Sequence, residues 1–207
     1  MAQALPRPKH EELLAAAVRL FRERGYHATS MQDLAEAVGV QRGSLYHYIE
    51  AKEDLLWEIM AHAMATLRES VGPAMQAALP ASTRLRTAVA AHLRTAARIR
   101  DELTILHVEL KSLSRRRRDA MVAMRDEYER IFRGLVRDGI AAGEFRAVDE
   151  KAAVFAMLGA CNWFTQWYNP AGSAGYEAFA DTFTGLFLDG LRLPGTAPAR
   201  GRSRTDT

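Results

Sequence analysis

Leu14, Ala17, Val18 and Phe21 stand three and four residues apart, and Phe179, Phe183, Leu186, Phe187 and Leu191 repeat that spacing near the other end of the chain. Apolar residues so placed line one face of an α-helix. Val, Ile and Thr never alternate with polar residues over a useful length, and no Asn-Gly or Asp-Gly hairpin joins two alternating runs. The fold class that follows is all-α.

Stop and start signals divide the chain. Lys9–Arg24 reads as the first helix, with Gly25 as its stop. Thr29 and Ser30 then offer an N-cap, with Gln32 or Asp33 placed to complete a capping box. A short helix runs to Val38, Gly39-Val40 turns the chain, and a second short helix covers Gln41–Tyr48. From Lys52 the helices lengthen: Lys52–Ser70, ending before Gly72-Pro73; Arg84–Arg100, with Ser82 as N-cap; Glu102–Leu113; Arg115–Ala142, stopped by Gly143; a helix capped by Asp149 and reaching Tyr168; and Gly175–Leu191. After Pro194 the sequence "GTAPARGRSRTDT" is small, polar and basic, which predicts disorder. The expected organisation is a first domain over 1–52, a second over 53–193 and a tail over 194–207.

Two short helices joined by a tight turn, after a longer first helix, make a helix-turn-helix. Ala35 is small where the two cross. Gly39 can take a left-handed conformation without a Cβ clash. Val40, Leu45 and Ile49 supply the apolar face, so Gln41, Arg42, Gly43, Ser44, Tyr46, His47 and Tyr48 face outward wholly or in part. That surface suits a duplex groove. Arg42 can reach guanine O6 and N7, and Gln41 an adenine or a phosphate. Gly43 admits DNA close to the backbone. Ser44, Tyr46 and Lys52 are placed for phosphates, which set register more than sequence. Thr29 and Ser30 cap a helix whose first amides can also bind a phosphate. The same spacing leaves open an ordinary helical hairpin whose tyrosines pack on the next helix.

The stretch "GYHATSMQDLAEAVGVQRGSLYHYIEAKEDLL" resembles the N-terminal DNA-binding domain of the TetR family of transcriptional regulators, over about Leu13 to Leu56. Gly25-Tyr26, Thr29, Leu34-Ala35, Gly39-Val40, Gly43, Leu45-Tyr46 and Lys52 all fall in place. Gln41 stands where Ser is common, and Ile49 where Phe is common. The resemblance implies an all-helical homodimer on a palindromic operator. It also implies a variable C-terminal ligand domain and, usually, repression relieved by a small molecule. Carried over by position, Arg42, Gly43, Ser44, Tyr46, His47 and Lys52 become the expected DNA contacts.

In "LGACNWFTQWYNPAG", Leu158 to Gly172, Trp163 and Trp167 are four apart and share a helix face. With Asn162 and Gln166 they can line an apolar pocket holding a polar anchor, or they can be core or dimer packing. Gly185 and Gly159-Ala160 allow close helix approach, so the last two helices read as a four-helix dimer interface built on Phe179, Phe183, Leu186 and Phe187. The segment from Tyr128 to Leu191 is similar to a TetR subgroup that controls acyl-CoA catabolism, in its "GEF", its "NW…WY" pattern and its Pro170–Gly172 break. Regulators of that subgroup answer to fatty acyl-CoA, phenylacetyl-CoA or CoA thioesters from sterol breakdown. Members often carry arginines near positions 166 and 169, where Gln166 and Asn169 stand here.

Charge is distributed unevenly. Residues 1–52 hold 7 Lys/Arg against 6 Asp/Glu, residues 84–118 hold 10 against 3, and residues 119–195 hold 7 against 11. The phosphates of CoA need cations, and arginine suits them. Arg94 and Arg98 lie one turn apart, with Arg84, Arg86, Arg100 and the run Arg115–Arg118 near in sequence. The expectation is that Arg94 and Arg98 hold the phosphates while the acyl part passes Trp163 and Trp167, with His107 as a further pocket residue. Solvated helix faces are the plainer reading of most of these arginines.

Two rivals stay within regulation: a multidrug or other hydrophobic-ligand sensor, and a DNA-binding protein without a small effector. Catalysis finds no constellation. Cys161 sits in an apolar helix, and the six histidines show no metal spacing. There is no Gly-rich phosphate loop and no serine elbow. No catalytic residue, metal or cofactor is expected. One cysteine excludes an intramolecular disulfide framework and fits a reducing compartment. No run approaches a membrane span, so the expectation is a soluble cytoplasmic protein.

Overall fold

A computed structural model describes residues 7–76 and 78–192. The tail expected to be disordered, 194–207, lies outside them. Nine α-helices occur among the described residues: α1 Arg7–Arg24, α2 Met31–Ala37, α3 Arg42–Leu45, α4 Lys52–Gln76, α5 Ala81–Arg98, α6 Arg100–Val108, α7 Arg115–Ala141, α8 Glu150–Trp167 and α9 Tyr176–Leu191. A single 3-10 turn, Leu110–Ser112, follows α6. No described residue lies in a strand; one isolated bridge pairs Phe145 with Arg192. No described helix is long and apolar enough to cross a membrane.

The helix ends follow local chemistry. Gly25 ends α1 at φ 85°, Gly39 turns the chain at φ 67°, and Gly143 follows α7 at φ 69°. These left-handed values favour glycine. Ser30 caps α2 in a reciprocal box with Asp33, and Asp149 accepts from the Ala152 amide at 2.8 Å to start α8.

Several boundaries differ from the sequence reading, α6 among them: it spans Arg100–Val108 rather than Glu102–Leu113, and the chain tightens into the 3-10 turn Leu110–Ser112 before α7. α4 does not stop before Gly72-Pro73 but runs to Gln76 with Pro73 inside it. Proline removes one helical hydrogen bond and crowds the turn before it. Here Val71 and Ala74 are buried in the core, and the Arg84 guanidinium donates to the Ala74 carbonyl at 3.1 Å and the Met75 carbonyl at 3.3 Å. Burial and a borrowed cap together hold the last turn.

α5 starts earlier than expected, at Ala81, and Ser82 is not its cap. Glu144 provides the cap from beyond α7, accepting from the Ala81 amide at 2.8 Å, the Ser82 amide at 3.0 Å and the Ser82 hydroxyl at 2.7 Å. α3 spans only Arg42–Leu45. Beyond it the amides of His47 and Tyr48 bond three residues back, to Ser44 and Leu45, so the chain tightens out of the α-helix at once.

α5 is the central helix, packed on α4, α7, α8 and α9. α1 leans on α4 and α6. Phe132 of α7 and Phe164 of α8 are fully buried, and truncating either to alanine would cost about 3–5 kcal/mol.

Candidate nucleic-acid interface and effector cavity

α3 is held by its buried side. Leu45 and Ile49 are buried, while Gln41, Arg42, Gly43, Tyr46 and His47 are exposed and Ser44 and Tyr48 are half-buried. Arg42 Nη2 donates to the Tyr46 hydroxyl at 3.3 Å across one helical turn. A Cβ at Gly43 would meet nothing within 4 Å. The fold itself therefore makes no demand for glycine there, and the open side admits another molecule.

The neighbouring candidates have inward roles that the sequence does not reveal. Thr29 is fully buried, and its hydroxyl donates to the Gly25 carbonyl at 2.9 Å and the Leu20 carbonyl at 3.3 Å. Its side chain locks the α1–α2 turn and has no route to a phosphate. Lys52 Nζ donates to the Tyr26 carbonyl at 2.6 Å and to the Thr29 carbonyl, and it lies 4.3 Å above the Tyr26 ring. Burial lowers its pKa, while Glu109 and Asp33 act the other way. With two of three donors committed, Lys52 ties the start of α4 to that turn. Ser30 is exposed, but its amide donates to the Asp33 carboxylate at 2.7 Å. The capping box thus occupies the Ser30 and Asp33 amides, and the Ser30 bonds hold the Asp33 pKa low.

A cavity of about 480 Å³ opens between α4, α6, α7 and α8. Met64, Leu106, Val122 and Phe155 give it an apolar wall; His107, Arg125, Asp126, Glu129 and Asn162 give it polar atoms. Of the expected ligand residues, His107 and Asn162 line it. Arg94 and Arg98 are exposed on α5 and do not, because the opposite face of α5, with His92, Leu93 and Ala96, is the one that packs inward. Trp163 and Trp167 do not line it either; they are 67% and 46% exposed. Half-buried Gln166 is also outside the lining. Arg84 is bound to Asp138 at 2.9 Å, and Arg100 donates to the Tyr168 carbonyl at 2.9 Å.

Burial sets the protonation of this region. His107 is held down to about 4 by burial and then by Arg125. His92, fully buried, is also held to about 4 by burial and then by His107. Its Nδ1 lies 2.9 Å from the Tyr128 hydroxyl, and Tyr128 lines the cavity with its pKa raised by burial. Both imidazoles are neutral at neutral pH, so the polar atoms they present are uncharged. Burial pushes the Cys161 thiol up to about 12, which removes it as a nucleophile.

The α6–α7 corner joins the cavity to the helix-turn-helix. Glu109 accepts from the Tyr26 amide at 3.2 Å and the Ser112 hydroxyl at 2.7 Å. Ser112 Oγ is 2.9 Å from His27 Nε2. Arg117 of α7 pairs with Asp54 at 2.5 Å, and Glu53 accepts from the Ser114 amide at 2.9 Å. Burial favours the protonated forms of Glu53 and Asp54, and these bonds outweigh it, leaving both pKa values low.

On the outer face of α8 and α9, Trp163, Trp167 and Leu186 are exposed, and Phe179, Phe183 and Phe187 are half-buried. Trp167 packs edge-on against Phe164 and Phe179, each at 5.2 Å. This exposed apolar patch includes Phe179, Phe183, Leu186 and Phe187, the residues from which the sequence reading expects a dimer interface.

Known proteins resemble this chain over both its N-terminal and its C-terminal parts. Residues 13–59 match the family described as bacterial regulatory proteins, tetR family, and residues 78–191 match the family described as tetracyclin repressor-like, C-terminal domain. The HTH-type transcriptional repressor KstR2 of Rhodococcus jostii (strain RHA1) is 28% identical over 188 residues, covering 90% of this chain and 92% of that protein. The crystal structure of the TetR family transcriptional regulator PfmR from Thermus thermophilus superposes with a TM-score of 0.81 at 35% identity, covering 87% of this chain and 99% of that one. That of AibR in complex with isovaleryl coenzyme A and operator DNA superposes with a TM-score of 0.79 at 30% identity, covering 86% and 97%.

Proposed function

The chain belongs to the TetR family of bacterial regulatory proteins, and we propose that it represses transcription as a homodimer on a palindromic operator and lets go when a CoA thioester enters the cavity. As a member it is a transcriptional regulator and not an enzyme. Residues up to Lys52 form the DNA-reading unit, with Arg42, Tyr46, His47, Gln41 and Ser44 toward the duplex. Residues 53–193 form the sensing and dimer-forming unit.

The observation that carries the reading is the cavity's wall. α6 lends Leu106 and His107 to the cavity, and Glu109, which follows its last residue, accepts from the Tyr26 amide. An occupant that moves α6 therefore moves the turn from which α2 and α3 start. A ligand shifts such an equilibrium only by its different affinity for the two arrangements. AibR, a relative solved with isovaleryl coenzyme A and operator DNA, supports the class of effector. Arg125, exposed and without an acidic partner within 4.0 Å among the described residues, replaces Arg94 and Arg98 as the cation for the CoA phosphates.

Asp126 and Glu129 favour a second reading, an effector that is hydrophobic and cationic. Both line the cavity beside the aromatic Phe155, and the buried Oε1 of Glu129 has no hydrogen bond and, among the described residues, only the Arg133 guanidinium at 3.6 Å as an ionic partner. Thermal melting in the presence of short, long, aromatic and polycyclic acyl-CoA thioesters, free CoA, the free acids and a cationic dye separates the two. A ligand at about 100-fold its dissociation constant adds roughly 2.7 kcal/mol. A shift confined to one acyl class, with release of bound duplex by the same thioester, supports the first reading. A shift with the dye alone replaces it with the second.

A further inference from the structure

The run Arg115–Arg118 opens α7, and the fold sets it beside the helix-turn-helix. Arg117 is committed inward, to Asp54 at 2.5 Å and Glu53 at 3.8 Å. The Ser114 amide bonds Glu53 in the first turn of α4, so α7 and α4 begin at the same level. Ser112 reaches His27 of the α1–α2 turn. Lys111, Arg115 and Arg116, on either side of this joint, are exposed. Lys111 and Arg116 have no acidic partner within 4.0 Å among the described residues, and Arg115 has only Asp119, at 3.9 Å, with both side chains well exposed. Such a pair contributes little.

Apart from Asp119, the acidic groups that meet this corner are committed to other partners. Glu53 and Asp54 face Arg117, and Asp54 also accepts the amides of Glu50 and Ala51 at 2.9 and 2.8 Å. Glu109 faces Tyr26 and Ser112. Three cations are left pointing to solvent next to the DNA-reading unit, and they belong to the sensing unit rather than to the helix-turn-helix.

We propose that Lys111, Arg115 and Arg116 of the α6–α7 corner form a second DNA-contacting surface, which grips backbone phosphates flanking each half-site. The inference rests on α3 being the DNA-reading helix. It assigns the corner a sequence-independent share of affinity, since phosphate contacts position and do not specify. It also gives the effector a second lever, because the helix that walls the cavity leads directly into the corner.

The probe is the tightest duplex the protein selects from a random-sequence library, made in two lengths. One ends at the half-sites; the other extends a helical turn beyond each. The slope of log affinity against log salt is measured for the full chain and for the K111S/R115S/R116S variant. Each phosphate that the variant no longer neutralises should flatten the slope by about 0.9, on the extended duplex and not on the short one. A thermal melt confirms that the variant, altered only at exposed positions, remains folded.

Equal slopes for variant and wild type on the extended duplex overturn the proposal. So does an equal flattening by R94S/R98S, which removes two exposed cations elsewhere on the molecule and would show only diffuse charge. Loss of affinity for a CoA thioester with an unchanged slope would reassign the corner to the effector. Arg42→Ala separates this inference from its premise. If that variant keeps full affinity for the selected duplex, the reading of α3 fails. If it loses affinity while the corner variant does not, only the corner proposal fails.

Discussion

The Glu109 carboxylate accepts a hydrogen bond from the Tyr26 amide at 3.2 Å, and His107, two residues earlier on the chain, lines the cavity proposed for the effector. One short stretch thus touches both ends of the proposed switch. Linkage between two sites is a coupling free energy, typically about 1–3 kcal/mol. Glu109→Ala should keep most of the DNA affinity and lose most of the weakening that an effector causes. The ratio of operator affinities with and without the activating thioester reads this directly. An unchanged ratio would remove Glu109 from the path.

Acid should destabilise the fold before most carboxylates titrate. His92 and His107 are both held to about 4 by burial, whereas an unfolded chain takes these protons near 6.5. The folded state therefore binds fewer protons, and stability falls as pH drops from 6.5 toward 4. At pH 5 each histidine should account for roughly 2 kcal/mol. Urea unfolding at pH 7.5 and pH 5 measures the sum, and His92→Gln should flatten the loss by its own share. A profile flat over that interval would mean that both imidazoles accept protons without unfolding.

The helices and the turn glycines are legible in the sequence because both rest on local rules. Apolar spacing marks a helix wherever it falls, and Gly25 and Gly39 sit where the chain needs positive φ. A capping box at Thr29-Ser30 is legible for the same reason, and the structure selects Ser30 with Asp33 from the pairs the sequence allows. Residues whose partners lie far along the chain are not. Lys52 reads as a phosphate contact because nothing in sequence reveals the Tyr26 and Thr29 carbonyls beneath it. Charge alone puts Arg94 and Arg98 on the ligand, yet the side of α5 that packs inward carries His92 and Leu93. Arg125 and Glu129, four apart beside the buried Tyr128, carry a signal in their spacing, but a cavity exists only once α4, α6, α7 and α8 come together.

The "GEF" stretch has a structural meaning that can be tested. Glu144 caps α5, and Phe145 fills the space over Gly139, where an added Cβ would overlap its ring. Gly139 also accepts the amides of Glu144 and Phe145 at 2.9 and 3.0 Å, so the backbone has little freedom to move away. Gly139→Ala should cost about 1–3 kcal/mol by overpacking. Glu144→Ala should cost about 1 kcal/mol through the missing cap. Denaturant midpoints measure both. A Gly139→Ala protein as stable as wild type would show that Phe145 can leave its seat freely.

Leu186 tests the outer face of α8 and α9. It is 68% exposed in the single chain, so a charge there should change the stability of an isolated chain by no more than about 0.5 kcal/mol. In a dimer closed through Trp163, Phe183 and Leu186, the same charge would be buried without a partner, which is strongly unfavourable. Leu186→Asp should therefore sediment as a monomer while keeping its helicity and its effector-induced melting shift. Operator affinity should fall with it, because two half-sites held by one dimer bind as a linked pair and two free monomers do not. A variant that stays dimeric at the wild-type protein concentration would place the subunit contact elsewhere and leave this apolar face to another partner.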